Sequence, residues 1–281
     1  MTSQQPQRTQ QQRGEAFRAL HQREGLFVLP NPWDAGSAKM LAHLGFAALA
    51  TTSAGLAFAL GRRDAEGAVS RDEALANARD IVEATPLPVA ADLENGYGDA
   101  PEDCAETIRR AAACGLVGGS IEDATGRADA PIYPLELAVE RITAAVQAAR
   151  ALPFTFTLAA RAENFLHGRA DLDDTLRRLV AFADAGADVL YAPGLKTREE
   201  IAAVVSAVAP RPVNVLVGSP ALQLNLEELA ELGVKRVSVG STLARAAYGA
   251  FFGASEALLK GELKPMHGAM PFDRINELFR G

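Results

Sequence analysis

The sequence predicts an α/β protein of the (β/α)8 barrel class. Three observations carry this. Eight short apolar runs alternate with longer stretches of three- and four-residue apolar spacing. Most runs are apolar on both faces, as parallel strands covered on each side must be. Glycines recur where a helix must turn into the next strand.

The runs fall at 26–30, 47–52, 87–92, 117–122, 154–161, 189–192, 213–218 and 236–240. Ser70-Arg71-Asp72-Glu73 has the pattern of a capping box and starts a helix before the third run. Ala113-Cys114-Gly115, Ala185-Gly186-Ala187 and Leu232-Gly233-Val234 place glycine where a left-handed turn closes a helix. Eight β-then-α units without a break spell a closed barrel. The alternative, a doubly wound open sheet, usually carries a glycine-rich phosphate turn after its first strand. Here that turn reads Pro30-Asn31-Pro32-Trp33-Asp34. Residues 241–260 then read as one helix with an apolar stripe of Leu243, Ala246, Ala247, Ala250, Phe251, Ala254 and Leu258, and 271–279 read as another. Surplus apolar helices beyond a barrel cover another surface or a neighbouring subunit, so a homo-oligomer, dimer or tetramer, is expected.

The chain has 281 residues, 48% of them hydrophobic, enough for one large core, and no linker divides it. Residues 14–281 are read as a single barrel domain with a C-terminal helical extension. Residues 1–13 are Gln-rich and polar; they read as a disordered tail and lack the apolar core of a signal peptide. A net charge of −7, with no basic cluster, argues against nucleic acid. No run is long enough to span a bilayer, so no membrane partner is expected. Cys104 and Cys114 fall in one helix, roughly 15 Å apart, too far for a disulfide with each other. They read as reduced thiols in a cytoplasmic protein. The four histidines are scattered without ligand or triad spacing.

Barrel chemistry sits at the C-terminal ends of the strands. Those ends carry Asn31, Trp33 and Asp34; Thr51, Thr52 and Ser53; Asp92 and Glu94; Glu122 and Asp123; Arg161, Glu163 and Asn164; and Tyr191. Asp64 follows in a charged loop, and Asn214 lies inside the seventh run. Asp92 and Glu94, two apart, would project to one face of a strand. Asp64, Asp92, Glu94 and Glu122 converging without a cation would repel, and hard oxygen ligands beside a glycine turn point to Mg²⁺. Arg161 would pair with a substrate carboxylate through its planar fork. Thr52, Ser53 and nearby N–H groups would offer neutral donors to a second oxyanion. Each residue also has a plainer role open to it: Asp64 a surface charge, Arg161 an ion-pair partner of Glu163 or Glu122, Thr52 and Ser53 turn stabilisers, Asn214 a hydrogen-bonded buried amide.

The set resembles the isocitrate lyase / phosphoenolpyruvate mutase superfamily. The matching pieces are Pro30-Asn31-Pro32-Trp33-Asp34-Ala35, Thr51-Thr52-Ser53-Ala54-Gly55, Ala91-Asp92-Leu93-Glu94-Asn95-Gly96-Tyr97-Gly98, Ser120-Ile121-Glu122-Asp123 and Ala160-Arg161-Ala162-Glu163, in order over roughly residues 25–260. The resemblance implies a barrel whose last helix is swapped onto a partner subunit. It implies Mg²⁺ held directly by Asp92, with Asp64, Glu94 and Glu122 binding its waters. It places Thr52, Ser53 and Ala54 on a substrate carboxylate or enolate oxygen, and Arg161 on the substrate's anionic group. Trp33 and Asn214 join the expected substrate-binding set; Arg161, Glu122 and Asp64 are the expected catalytic groups.

The departures narrow the reaction. Isocitrate-type lyases carry a K-[KR]-C-G-H loop after the I-E-D element, and its Cys supplies the general acid. Here residues 124–134 contain neither Cys nor His, and they lack the longer Asn-containing loop of the mutases. Arg127 and Tyr133 are the residues of this loop with usable chemistry; Tyr191, Glu163 and a metal-bound water are other acid/base candidates. The expectation is a Mg²⁺-dependent lyase that works through an enolate on a small anionic 2-oxo or 2-hydroxy acid, by C–C cleavage or decarboxylation. Phosphonomutase-type P–C chemistry is the alternative, and a catalytically silent metabolite-binding barrel is the alternative of another class.

Overall fold

The computed structural model describes residues 8–64 and 66–280. Each of the eight apolar runs contains one strand: β1 (Phe27–Leu29), β2 (Leu49–Ala50), β3 (Val89–Asp92), β4 (Gly118–Glu122), β5 (Thr157–Arg161), β6 (Val189–Tyr191), β7 (Val213–Leu216) and β8 (Arg236–Ser238). All neighbouring strands pair in parallel, in the order β1-β8-β7-β6-β5-β4-β3-β2. The seam between β1 and β2 is bridged at its C-terminal end. Ala50 N donates to Pro30 O at 3.1 Å and Asn31 Nδ2 to Thr51 O at 3.0 Å. Asn31 Oδ1 accepts from Val239 N and Gly240 N, so one buried amide ties β1, β2 and the end of β8 together.

The outer ring comprises α2 (Ala35–His43), α4 (Arg71–Glu83), α5 (Pro101–Ala113), α6 (Leu135–Arg150), α7 (Leu172–Asp184), α8 (Arg198–Val208) and α9 (Leu226–Glu231), with the short α3 (Ser53–Ala59) following β2. The Ser70–Glu73 capping box is present at the start of α4. Asp34, Thr52, Asp171, Thr197 and Asn225 likewise accept a first-turn amide of the helices they precede, satisfying donors those helices cannot satisfy themselves. The main apolar core lies between ring and sheet. Cys104 and Cys114 are buried there as free thiols. A second cluster, including Phe17, Phe27, Leu29, Ala90 and Val117, fills the floor of the barrel.

Phe17 belongs to α1 (Gln10–Gln22), which corrects the reading of residues 10–13 as part of a tail. Thr9 and Gln12 form a reciprocal capping box, and Gln10 Nε2 donates to Ala112 O and Leu116 O. Polar composition concealed a capped helix in which Gln10 bonds backbone carbonyls of the barrel and Gln12 the Thr9 amide. Residues 1–7 of the expected tail lie outside the described residues. Gly14 lets α1 press against the barrel: a Cβ there would meet Thr155 O at 2.2 Å.

His21 closes the same face, buried between the rings of Phe17 and Phe27. Burial, then the nearby charge of Arg236, pushes its pKa down to about 3. The unfolded chain protonates this imidazole near 6.5 while the folded chain leaves it neutral. The unfolded state therefore binds more protons below that pH, and stability falls as pH falls from about 6.5 toward 3. The expected loss approaches 1.4 kcal/mol per pH unit, roughly, in that window. Urea denaturation near pH 7.5 and about pH 5 measures it. His21→Gln should flatten the dependence, and an unchanged acid slope would refute the assignment.

Beyond β8, α10 (Thr242–Leu259) runs clear of the ring, and Ala244 is its one buried residue. Phe251 is 71% exposed and Leu258 52%, and Leu243, Ala246, Ala247 and Ala250 are exposed as well, so most of the apolar stripe read from sequence is uncovered among the described residues. A 3₁₀ turn (Lys264–Gly268) leads to α11 (Phe272–Phe279), which returns to α2 with Phe279 against Gly36. No helix among the described residues is long and apolar enough to cross a membrane.

Candidate active site

The acidic and hydroxyl residues meet where β2, β3, β4 and β5 end. Thr52, in extended conformation, caps α3 by accepting from Gly55 N at 3.2 Å. The turn packs against Trp33; a Cβ on residue 55 would come within 3.0 Å of Trp33 Cβ and 2.5 Å of Thr52 Cγ2, so only glycine fits. This compact corner aims Ser53 at the end of β3. Ser53 N and Oγ donate to Asp92 Oδ2 at 3.3 and 2.9 Å, and Thr51 Oγ1 accepts from Asp92 N.

Asp92 ends β3, and the chain then turns sharply. Glu94 has φ 46° and Tyr97 φ 60°, left-handed values costly for residues with a Cβ. Glu94 therefore reaches the mouth through the turn. The strand alternation inferred from the two-residue spacing does not extend this far, since β3 stops at Asp92. Glu122 N donates to Glu94 O at 3.0 Å, locking the turn to β4.

Arg161, at the end of β5, sits at the centre. Its NH1 lies 3.0 Å from Asp92 Oδ1 and 3.1 Å from Glu122 Oε2; its NH2 and Nε lie 2.8 and 2.9 Å from Glu163 Oε1. The Tyr191 ring lies beneath, 5.0 Å from the guanidinium carbon. Burial opposes this charge, but Glu122, Glu163 and Asp92 together hold its pKa well above the usual arginine value. A cavity of about 780 Å³ opens over the group, bordered by Ser53, Asp64, Glu94, Glu122, Arg161 and Glu163. Burial, then the charges of Asp92 and Asp64, raises Glu94 to about 7. Burial likewise pushes Glu122 well above the carboxylate range, with Glu163, Asp92 and Glu94 adding to it against Arg161. The carboxylates thus repel one another, and one arginine does not fully offset them. A larger cavity of about 1070 Å³ lies at the opposite end, against α1, away from this cluster.

A sequence profile described as Phosphoenolpyruvate phosphomutase matches residues 17–259. The chain belongs to that family, within the isocitrate lyase / phosphoenolpyruvate mutase superfamily. A lyase-or-mutase candidate from Burkholderia cenocepacia J2315 superposes with TM-score 0.94 at 60% identity, over 97% of each chain. An oxaloacetate decarboxylase of Rhodopseudomonas palustris is 31% identical over 65% of this chain and 63% of its own. The 2-methylisocitrate lyase of Salmonella typhimurium is 32% identical over 63% of this chain and 61% of its own. Relatives in the superfamily are lyases, decarboxylases and mutases, which supports an enzyme here.

The fold gathers most of the expected residues and displaces some. Asp92, Glu122 and Arg161 are in direct contact; Ser53 joins them through Asp92, and Glu94 and Asp64 border the same cavity. As the side chains stand, no three His, Cys, Asp or Glu among the described residues converge to enclose an ion directly. Asp64 is exposed at the rim. Trp33 and Ala54 flank the corner without bordering the 780 Å³ cavity. Asn214 is sealed inside the barrel, where its amide is used by Ser238 and Arg236. In the loop 124–134, Tyr133 Oη donates to Asp99 at 2.5 Å and Arg127 pairs with the same carboxylate at 2.8 Å. Both fasten the loop to the turn after β3 and leave Thr125 and Gly126 to face the cavity. The sequence reading gave too little weight to Glu163, the principal partner of Arg161. It named Asp123 at a strand end without a role and passed over Arg178; the two pair at 3.0 Å, with Asp123 accepting from Glu163 N at 2.8 Å. The Glu-Asp pair Glu122–Asp123 was the available signal, since successive residues serve opposite faces of a strand end.

Proposed function

We propose that the chain is a Mg²⁺-dependent carbon–carbon lyase acting on a small 2-oxo or 2-hydroxy acid through an enolate, with decarboxylation of an oxaloacetate-like acid as the leading reaction. The observation that carries this reading is the Arg161 guanidinium held among Asp92, Glu122 and Glu163, facing the Thr52–Ser53 corner. Anionic substrate recognition and enolate stabilisation need this pairing of a fixed cation with neutral donors. The names of the oxaloacetate decarboxylase and methylisocitrate lyase relatives fit the same chemistry.

The donor set suits a hard divalent ion, because Asp64, Glu94 and Glu122 offer carboxylate oxygens to one cavity and Asp92 shares Arg161 NH1 with Glu122 at its edge. Asp92 would hold Mg²⁺, with Glu94, Glu122 and Asp64 around it. When bound, the ion supplies charge that offsets both the carboxylates and a developing enolate. Arg161 NH1, released by Asp92 and Glu122, then binds the substrate carboxylate while Glu163 holds Nε and NH2. Ser53, the residue of the 52–54 corner that borders the cavity, would stabilise the second oxyanion. The loop 124–134 brings no thiol, so cleavage that needs a loop Cys as acid is disfavoured.

The test is a Mg²⁺-supplemented screen of oxaloacetate, other 2-oxo and 2-hydroxy acids, and phosphonopyruvate. Turnover of an oxo or hydroxy acid with C–C cleavage is expected. Turnover of phosphonopyruvate alone would replace the lyase reading with P–C chemistry. Stabilisation by oxalate plus Mg²⁺ without any turnover would leave a metabolite-binding barrel.

We also propose that a second copy of the chain covers the exposed face of α10, in a reducing compartment that keeps Cys104 and Cys114 as thiols. Sedimentation velocity is expected to show a dimer or tetramer, and Phe251→Asp with Phe252→Asp a monomer. A wild-type monomer would refute this.

A further inference from the structure

A polar row crosses the inside of the barrel below the site. Strand register sets Arg161 beside Tyr191, Tyr191 beside Asn214, and Asn214 beside Arg236. Register partners in a parallel ladder face the same way, and all four residues line one interior cavity of about 60 Å³. Arg161 ends its strand at the mouth, whereas Arg236 begins its strand near the floor. The row therefore descends with the strand tilt. Barrel interiors are ordinarily filled by branched apolar side chains, so a buried guanidinium here is out of place.

The row is hydrogen-bonded from Arg236 as far as Ser238, and at its upper end the Arg161 guanidinium stacks on the Tyr191 ring. Arg236 Nε donates to Asn214 Oδ1 at 2.9 Å, and Asn214 Nδ2 donates to Ser238 Oγ at 2.9 Å. Ser238 and Tyr191 line the same interior cavity, where Ser238 acts on the Tyr191 phenol. At the floor, Arg236 NH1 meets His21 Nε2 at 3.4 Å, while His21 Nδ1 bonds Phe17 O. No carboxylate among the described residues pairs with Arg236, and burial brings its pKa down to about 10. A charge buried without a counter-ion costs stability, and an apolar side chain of equal length would fill the space at less cost.

We propose that Arg236 is a positioning residue for anion binding at the mouth. Through Asn214 and Ser238 it fixes the Tyr191 hydroxyl, and hence the ring on which the Arg161 guanidinium rests. The arrangement matters most when Asp92 and Glu122 turn to other partners, because Tyr191 and Glu163 are then what holds Arg161 in plane. This inference rests on the reading of Arg161 as the group that binds the substrate's anion.

The test compares Arg236→Met, Arg236→Lys and Ser238→Ala by crystal structure, melting temperature and steady-state kinetics on whichever acid the screen identifies. In Arg236→Met and Ser238→Ala the Tyr191 hydroxyl is expected to lose its fixed place and the Arg161 plane to tilt. KM should rise about tenfold while kcat stays within about threefold. Arg236→Lys should restore most of the loss, and the melting temperature of Arg236→Met should not fall. Unmoved Tyr191 and Arg161 in both apolar variants would overturn the proposal whatever the substrate. So would a wild-type KM accompanied only by a lower melting temperature. Ser238→Ala deletes one atom and stands as the deciding variant if Arg236→Met does not fold. Displacement of Tyr191 in a protein that turns over no acid would uphold the positioning and sink the functional reading instead.

Discussion

Asp92→Asn is expected to lower kcat/KM by at least about a thousandfold, the largest kinetic effect of any single atom exchange in the chain. The carboxylate is used on both sides. Oδ2 accepts from Ser53 N and Ser53 Oγ, and Oδ1 faces Arg161 NH1 at 3.0 Å. An amide cannot accept on both sides: whichever way it lies, its NH₂ opposes either the Ser53 amide or the guanidinium. It also withdraws the charge that a divalent ion at this mouth requires. Folding should suffer less, by roughly 1–3 kcal/mol, because Glu122 and Glu163 still accompany Arg161. Circular dichroism melts beside kinetics separate the two effects. A variant keeping more than about a tenth of wild-type kcat/KM would show that Asp92 is a structural clasp between α3 and β3.

The barrel was legible because its signals are local and repeated. Each strand is an apolar run, and each glycine turn or capping box marks a boundary by chemistry within four residues. Placement of polar groups at strand ends then followed from the fold class, which is why Asp92, Glu122 and Arg161 could be brought together before any coordinates. What stayed hidden depends on three-dimensional partners. The glutamines of α1 look disordered until Ala112 and Leu116 present their carbonyls to Gln10. Glu94 faces the mouth through a left-handed turn that spacing alone does not reveal. Asn214 looks like a ligand because it is polar on a core strand, yet Arg236 and Ser238, more than twenty residues away, consume its amide. Arg127 and Tyr133 look like loop chemistry until Asp99, on a different turn, claims both.

Arg161→Met is expected to cost both activity and folding, and its pH dependence carries the diagnosis. Removing the guanidinium leaves Glu163, with a side chain only 4% exposed, and the enclosed Glu122 without their cation. Breaking a buried pair from one side destabilises by about 3–5 kcal/mol, more than the intact pair contributes. Catalysis should fall by about a thousandfold or more through loss of the substrate's anion partner. Glu122 already binds its proton more tightly folded than unfolded, through burial and then its acidic neighbours, and Arg161 is the group restraining that rise. With Arg161 gone the folded state holds still more protons than the unfolded state above the ordinary carboxylate range. By linkage its stability must then fall as pH rises. Acidification should therefore rescue the variant, raising its melting temperature from about pH 8 to about pH 6.5, above the window in which His21 protonation acts. The wild type, whose Glu94 and Glu122 are already raised but restrained by Arg161, should gain less over the same range. A variant whose melting temperature is flat across that range would mean that Glu122 and Glu163 find other partners, and that Arg161 is not the charge on which this mouth is built.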